Sequence, residues 1–150
     1  MSIQEFEDVG PIDYAVLEWP TDIPGAGSEV APLLVDLVDR GIIAIYDIAF
    51  MAKADDGTVT AVDFAELGAD SGFTEFEGAS SGLIGEDDIR EAAEALEPGR
   101  SAAVLVWENR WAAPVAAALR RSGGQLVASG RISIQAILAA LDAVEVDAVH

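Results

Sequence analysis

The chain has 150 residues, a length that suits one domain with a substantial hydrophobic core. Apolar residues make up 51% of it, and 27 acidic against 8 basic residues give a net charge of -19. Phosphate backbones and anionic lipid surfaces would repel this charge, so nucleic acid and membranes are not expected as partners. Cysteine is absent, which excludes disulfides, thiolate metal sites and cysteine nucleophiles.

The distribution of apolar and charged residues indicates a cytoplasmic protein. The longest apolar stretch, 42–54, contains Asp47 and Lys53 and is shorter than the about 18 to 20 residues that a membrane-spanning helix needs. Residues 1–8 are acidic and lack the basic and apolar regions of a secretory signal. Charge is also uneven, because residues 47–97 are strongly acidic whereas residues 98–141 carry an excess of arginine.

The first half of the chain predicts a strand, a helix and a hairpin. In chain order these are a strand at 12–19, a loop at 20–28, a helix at 29–40, a long strand at 42–53 and its return strand at 58–64. Ser28 is the expected N-cap of the helix, and Gly41 is its C′ glycine. Asp47 is a candidate bulge site, and residues 55–57 form the hairpin turn.

The second half predicts a glycine-rich loop followed by alternating helices and strands. In chain order these are a loop at 66–85, a helix at 86–97, a buried strand at 102–107, a helix at 111–122, a strand at 125–131 and a last helix after Ser133. Asn109 and Ser133 are expected helix caps. The last helix carries Ile134, Ile137, Leu138 and Leu141 on one face.

The predicted fold class is α+β: a ferredoxin-like βαββαβ unit with a C-terminal αβα extension, forming a single domain over residues 1–150. The acidic Gly-rich loop at 66–85 interrupts it. Residues 15–19 echo residues 103–107, and residues 31–41 echo residues 113–123. This internal similarity suggests a duplicated βαβ element.

Five short segments together resemble an uncharacterised family of small acidic proteins from high-GC bacteria, classed as a domain of unknown function. The segments are 10–14, 37–41, 56–61, 96–99 and 105–109. The resemblance covers nearly the whole chain and implies the mixed fold, but no activity, cofactor or catalytic residue. More remotely, the chain is similar to bacterial proteins in which two βαβ halves flank a Gly/Ala-rich helix, often described as membrane proteins. The corresponding insert here carries Glu66, Asp70, Glu75 and Glu77, so the membrane label is not carried over.

Two short motifs lack the residues that their usual functions require. Residues 78–82 fit the nucleophile pattern G-x-S-x-G, but no predicted strand leads into Ser80 and the only histidine is His150. Residues 52–63 echo a calcium-binding EF-hand loop, but alanine stands at its first and third positions. We therefore expect no catalytic residue, metal or cofactor. Carboxylate runs such as 86–88 leave acid–base chemistry open, so an enzyme is disfavoured rather than excluded.

The stretch 107–111 is the most informative, because it lies where a predicted buried strand passes into a helix. The internal echo predicts that Trp19 and Trp107 occupy equivalent strand ends, which brings Glu18 and Glu108 together for Arg110 to bridge. The candidate binding or interface residues are Glu18, Trp19, Trp107, Glu108, Asn109, Arg110 and Trp111. The alternative is that both tryptophans of 107–111 belong to the core, Asn109 is a cap, and Glu108 and Arg110 are on the surface.

Two functions remain open from the sequence. Exposed sheet edges and oppositely charged regions favour a non-enzymatic homo-oligomeric structural or interaction module, whose partner is a second copy of the chain. The alternative is a small-molecule-binding or enzymatic domain, with a pocket near 107–111 or between the sheet and the 66–85 loop. No particular ligand is predicted.

Overall fold

In the computed structural model, residues 8–20, 23–67 and 72–149 are described, with side chains over 8–20, 29–67 and 72–144. Within these residues, the strands are β1 (Ile12–Trp19), β2 (Ile43–Lys53), β3 (Val59–Val62) and β4 (Ser101–Asn109). The α-helices are α1 (Ile23–Asp39), α2 (Phe64–Leu67), α3 (Glu86–Glu94), α4 (Ala113–Arg121) and α5 (Ile134–Val149). Short 3₁₀ helices cover Phe73–Ala79 and Arg110–Ala112.

The strands form one antiparallel sheet in the order β1-β4-β2-β3. The two inner strands, β2 and β4, are the longest and the most apolar, because both of their faces are covered. β1 pairs with β4 from Ile12 opposite Glu108 to Trp19 opposite Ser101. The predicted hairpin turn at 55–57 is confirmed, since Gly57 has a φ of +90° and joins β2 to β3.

Helices pack on both faces of the sheet. One hydrophobic cluster surrounds Phe50 and is covered by α1, α2 and the 3₁₀ helix Phe73–Ala79. The other surrounds Met51 and is covered by Ala93 of α3 and by Leu96, which follows that helix. Successive strand residues point to opposite faces, which is why the neighbours Phe50 and Met51 belong to different clusters. The mixed α/β class is confirmed. The ferredoxin-like arrangement is not, because such a unit carries both of its helices on one face.

The first helix begins earlier than predicted. α1 starts at Ile23, so Ser28 lies inside the helix and its assignment as the N-cap is wrong. Pro24 is compatible with this start, because the first helical turn needs no N–H partner. The end of the helix is confirmed at Gly41, which has a φ of +71°, and the Ile42 N–H donates to the Leu37 carbonyl at 3.0 Å.

The segment 66–85 is not simply a loop, which corrects that prediction. Its described part contains the end of α2 and the 3₁₀ helix Phe73–Ala79, whose Phe73 and Phe76 are buried in the cluster around Phe50. A 3₁₀ helix has three residues per turn, so it leaves no trace in an analysis based on the α-helical period. The start of the next helix, α3, is confirmed at Glu86.

The predicted strand at 125–131 is wrong. These residues have no regular secondary structure and are exposed. Val127 and its neighbours have strand propensity, but they pair with no strand in the described part of the chain, and propensity without pairing does not make a strand. The capping role of Ser133 is confirmed, because its Oγ accepts the Ala136 N–H at 3.2 Å at the start of α5. Among the described residues, no helix is long and apolar enough to cross a membrane.

Candidate interaction site

Asn109, the last residue of β4, joins the two tryptophans of the predicted site. Its Oδ1 accepts the Nε1–H of Trp107 at 3.1 Å and that of Trp111 at 3.3 Å. Its Nδ2 donates to Asp13 Oδ2 at 2.6 Å and to the Pro11 carbonyl at 3.2 Å. The side chain therefore ties the end of β4 to the start of β1. Its predicted role as a helix cap is wrong, because it makes no capping hydrogen bond to the turn that follows.

Glu108 is a buried carboxylate, only 6% exposed, so its alternative assignment to the surface is wrong. Tyr46 Oη donates to its Oε1 at 2.6 Å, and the Gly10 N–H donates to its Oε2 at 2.9 Å. Burial, and then the hydrogen bond to Glu108, raise the pKa of Tyr46 to about 12. At neutral pH the phenol is therefore a proton donor that satisfies the buried carboxylate.

Glu18 and Trp19 do not join this cluster. In the antiparallel register Trp19 lies opposite Ser101 whereas Trp107 lies opposite Asp13, so the two indoles are at opposite ends of the strand pair. At about 3.3 Å per residue these ends are roughly 20 Å apart. Glu18 pairs with Arg100 at 3.2 Å instead of approaching Glu108. The predicted convergence is wrong, because an internal repeat does not specify the relative direction of the two strands.

The remaining predicted residues have different surroundings. Trp107 is half-buried and packs against the cluster around Phe50, as the core interpretation expects. Trp111 is exposed, so that interpretation does not hold for it. Arg110 is exposed as well. Its positive charge lowers the pKa of Tyr46, whereas Glu108 raises it.

A cleft of about 590 Å³ opens beside this cluster, between β1, β4 and α3. Its floor is the sheet face that carries Val16, Val104 and Val106. Tyr14 on β1, 76% exposed, and Leu83 also line it. Two exposed carboxylates, those of Asp88 and Glu91, stand in the same lining, whereas the Asp13 carboxylate accepts from Asn109 on the other face of the sheet. The cleft is therefore an apolar surface bordered by negative charge. Leu83 and Ile84 of the 66–85 segment line it, and no residue of 107–111 does.

Asp47 holds one wall of this cleft in position. It lies where the pairing of β2 with β4 shifts, so the predicted bulge is confirmed, and its side chain is 1% exposed. Its Oδ1 accepts the N–H groups of Ile48 and Ser81 at 2.9 and 3.0 Å, and its Oδ2 accepts the Ile84 N–H at 2.6 Å. Ser81 Oγ also donates to the Tyr46 carbonyl at 2.7 Å. The segment that carries Leu83 and Ile84 is thereby fixed to the sheet.

Residues 125–144, which we call the C-terminal segment, form the second available apolar surface. Every residue of the segment is exposed. Its large apolar side chains are 47% to 84% exposed: Leu126, Val127, Ile132, Ile134, Ile137, Leu138, Leu141 and Val144. On α5, spacings of three and four residues place five apolar residues on one face, the pattern of a helix-contact stripe: Ile134, Ile137, Leu138, Leu141 and Val144.

Several residues of the site were not singled out by the sequence analysis. Tyr46 and Gly10 carried no signal, because a buried hydrogen bond between distant strands leaves no local pattern. Asp47 was predicted only as a bulge site, from a charge inside an otherwise apolar strand, and not as an anchor of the cleft wall. A carboxylate in such a position can be buried only if it accepts hydrogen bonds. Because the N–H groups of the sheet bond to neighbouring strands, the donors are expected to come from a loop that crosses above it.

The described residues contain no group of three or more histidine, aspartate and glutamate side chains that could hold a metal ion. Ser80 of the G-x-S-x-G stretch follows a 3₁₀ helix instead of a strand, and His150 lies outside the described residues. The surfaces that remain available are the apolar cleft and the C-terminal segment.

The fold and these surfaces define a small, strongly acidic mixed α/β protein built around a four-stranded antiparallel sheet. Over residues 8–148 the chain matches the model of a family described as Family of unknown function (DUF6325), and it belongs to that family. The family resemblance expected from the sequence is therefore confirmed. No curated protein and no solved structure matches the chain significantly.

Proposed function

We propose that this protein is a non-enzymatic homo-oligomeric interaction module, and that its C-terminal segment supplies the contact between copies. The observation that carries the proposal is the exposure of eight large apolar side chains over residues 125–144. Contiguous exposed apolar surface of this kind marks an interaction site, because leaving it in water costs free energy that burial would recover. A helix with apolar residues on most of its sides is stable only when it is covered.

A second copy fits this surface better than a nucleic acid or a membrane. The chain carries a net charge of -19, which repels both phosphate backbones and anionic lipids. The same charge also opposes self-association, so the contact must be driven by apolar burial. The C-terminal segment suits this requirement, because residues 132–141 carry no charge at all.

The test is to place one charge on the contact stripe and the same charge on the opposite side of the same helix. Leu138→Glu puts a carboxylate on the apolar stripe of α5, whereas Ala139→Glu puts it on the side of the helix that faces away from the middle of the stripe. We expect the unmodified chain to form a discrete oligomer at micromolar concentration in light scattering. Leu138→Glu should weaken association at least tenfold, and Ala139→Glu should weaken it little. A monomeric unmodified chain, or equal effects of both variants, would refute the proposal.

Small-molecule binding is a second candidate, which the cleft favours. Its volume of about 590 Å³ lies within the range of about 300 to 1,000 Å³ that is usual for ligand sites. An apolar lining with Asp88 and Glu91 suits an amphipathic amine. A thermal-shift series with alkylamines of increasing length tests it. Binding predicts a rise in melting temperature that Glu91→Gln reduces, because it removes one of the carboxylates that would pair with the ammonium. A flat response to all of the amines would reject this candidate.

A further inference from the structure

We propose that the cleft between β1 and α3 of one copy receives α5 of a second copy, and that reciprocal exchange of the two helices forms a dimer. This inference rests on the proposed self-association and specifies where the C-terminal segment docks. The contact then buries the two apolar surfaces that each chain leaves exposed.

The first support is the incomplete covering of one sheet face. Four strands at about 4.8 Å spacing present a face roughly 19 Å wide, whereas one helix with its side chains covers about 10 Å. On this face α3 and the turn after it pack over the inner strands through Ala93 and Leu96, which belong to the cluster around Met51. The part over β1, with Tyr14 and Val16, remains open as the cleft. A second helix beside α3 would complete the layer.

The second support is the match of the two surfaces in chemistry. The cleft presents Ile12 and Leu83, which are 49% and 62% exposed, above a floor of valines. The stripe on α5 presents aliphatic side chains that are exposed to a similar degree. Aliphatic side chains of both surfaces can interdigitate, as in other helix-on-sheet layers.

Charge sets the expected direction of the docked helix. The carboxylates of Asp88 and Glu91 lie on α3 along the cleft. In the sequence of the C-terminal segment, Arg131 precedes the uncharged residues 132–141, and acidic residues appear only from Asp142 onward. The amino end of α5 with Arg131 should therefore lie near Asp88 and Glu91, and its acidic carboxyl end should lie away from them.

The connection to the rest of the chain permits exchange. Residues 122–133 join α4 to α5, are almost entirely exposed, and span up to about 40 Å when extended. In the folded chain the side chains of residues 134–144 are exposed while the cleft is open, so the chain does not fill its own cleft. Two reciprocal contacts related by a twofold axis give a closed dimer, the commonest form of self-association.

The absence of native cysteine allows a direct test by disulfide cross-linking. Tyr14→Cys places a thiol in the cleft, and Leu138→Cys places one on the contact stripe of α5. A mass-tagged Leu138→Cys chain is mixed with Tyr14→Cys, left to exchange, oxidised and separated without reductant. The control replaces Tyr14→Cys by Val59→Cys, on the strand at the other edge of the sheet. Circular dichroism checks that each variant folds.

We expect the Tyr14→Cys and Leu138→Cys pair to form the mixed cross-link at least fivefold faster than the control pair. If the chain oligomerises but only Leu138→Cys chains cross-link to each other, α5 pairs with α5, so the docking inference is wrong and the proposed function stands. If light scattering shows a monomer and the doubly substituted chain cross-links only within itself, the helix fills its own cleft. Both proposals then fail.

Discussion

Asp47, in the bulge of β2, accepts a hydrogen bond of 2.6 Å from the backbone N–H of Ile84, a residue that lines the cleft. The shape of the cleft thus depends on one buried carboxylate, more than thirty positions away in the sequence. A carboxylate that accepts several backbone N–H bonds compensates its own burial and also satisfies donors that the loop cannot satisfy alone.

Replacing this carboxylate should both destabilise the fold and loosen the cleft. Asp47→Ala leaves the Ser81 and Ile84 N–H groups without their acceptor, each at a cost of about 1 to 3 kcal/mol. We expect the free energy of unfolding to fall by about 3 kcal/mol in urea denaturation. Asp36→Ala, which removes an exposed partner of Arg40, is the matched control and should change it by at most about 0.5 kcal/mol. Similar losses for both variants would contradict the anchoring role of Asp47.

Tyr46 should make stability depend on pH in the alkaline range. Its pKa in the folded protein is about 12, against the ordinary value of 10.0, because burial and the bond to Glu108 favour the neutral phenol. A group whose pKa is raised on folding contributes its stability fully below pH 10 and loses it as pH rises toward 12. Tyr46→Phe should therefore flatten this part of the stability curve relative to the unmodified chain. Identical pH profiles from pH 9 to 12 would argue against the buried bond.

Asn109 should control the environment of two of the three tryptophans. Asn109→Ala removes the acceptor of the Trp107 and Trp111 Nε1–H groups and the link to Asp13. We expect a loss of about 1 to 2 kcal/mol, together with a shift in tryptophan fluorescence of the folded state. Arg110→Ala, at the exposed neighbouring position, should cost no more than about 1 kcal/mol and leave the emission unchanged. An unchanged spectrum for Asn109→Ala would show that these bonds do not persist in solution.

Gly10 should tolerate no side chain. A Cβ at this position would overlap the Asn109 carbonyl oxygen and approach the Ala113 Cα, and the Gly10 N–H is needed by Glu108. We expect Gly10→Ala to lower the melting temperature by several degrees, because the Asn109 carbonyl at the end of β4 cannot move aside without disturbing the pairing of β4 with β1. Gly78→Ala, where a Cβ meets nothing within 4 Å, is the control and should leave it nearly unchanged. A tolerated Gly10→Ala would mean that the two strand ends are looser than the structure shows.

Features encoded locally could be predicted from the sequence. The hairpin at 55–57, the helix end at Gly41 and the cap at Ser133 each depend on residues within one turn of each other, and all three are confirmed. The bulge at Asp47 was also predictable, because a charge inside an apolar strand demands a local irregularity or a partner.

Features that depend on the pairing of distant segments could not be predicted. The antiparallel register of β1 and β4 separates Trp19 from Trp107, although the two strands are similar in sequence. The burial of Glu108 depends on Tyr46 and Gly10, which lie 62 and 98 positions away from it. The strand propensity of residues 125–131 had no effect, because the structure offers them no strand to pair with.

Salt should strengthen the self-association, and this dependence separates an apolar contact from an ionic one. Each copy carries a net charge of -19, so two copies repel each other over the Debye length of about 10 Å at 0.1 M salt. At 1 M the Debye length is about 3 Å, and the repulsion is largely screened. If burial of the C-terminal segment drives assembly, sedimentation should show the dissociation constant falling by roughly threefold or more between these conditions. Leu138→Glu should remain a monomer at both salt concentrations, because screening restores no apolar contact. If salt instead weakens the assembly of the unmodified chain, opposite charges, such as that of Arg131, hold the copies together. The apolar stripe would then not be the source of the affinity.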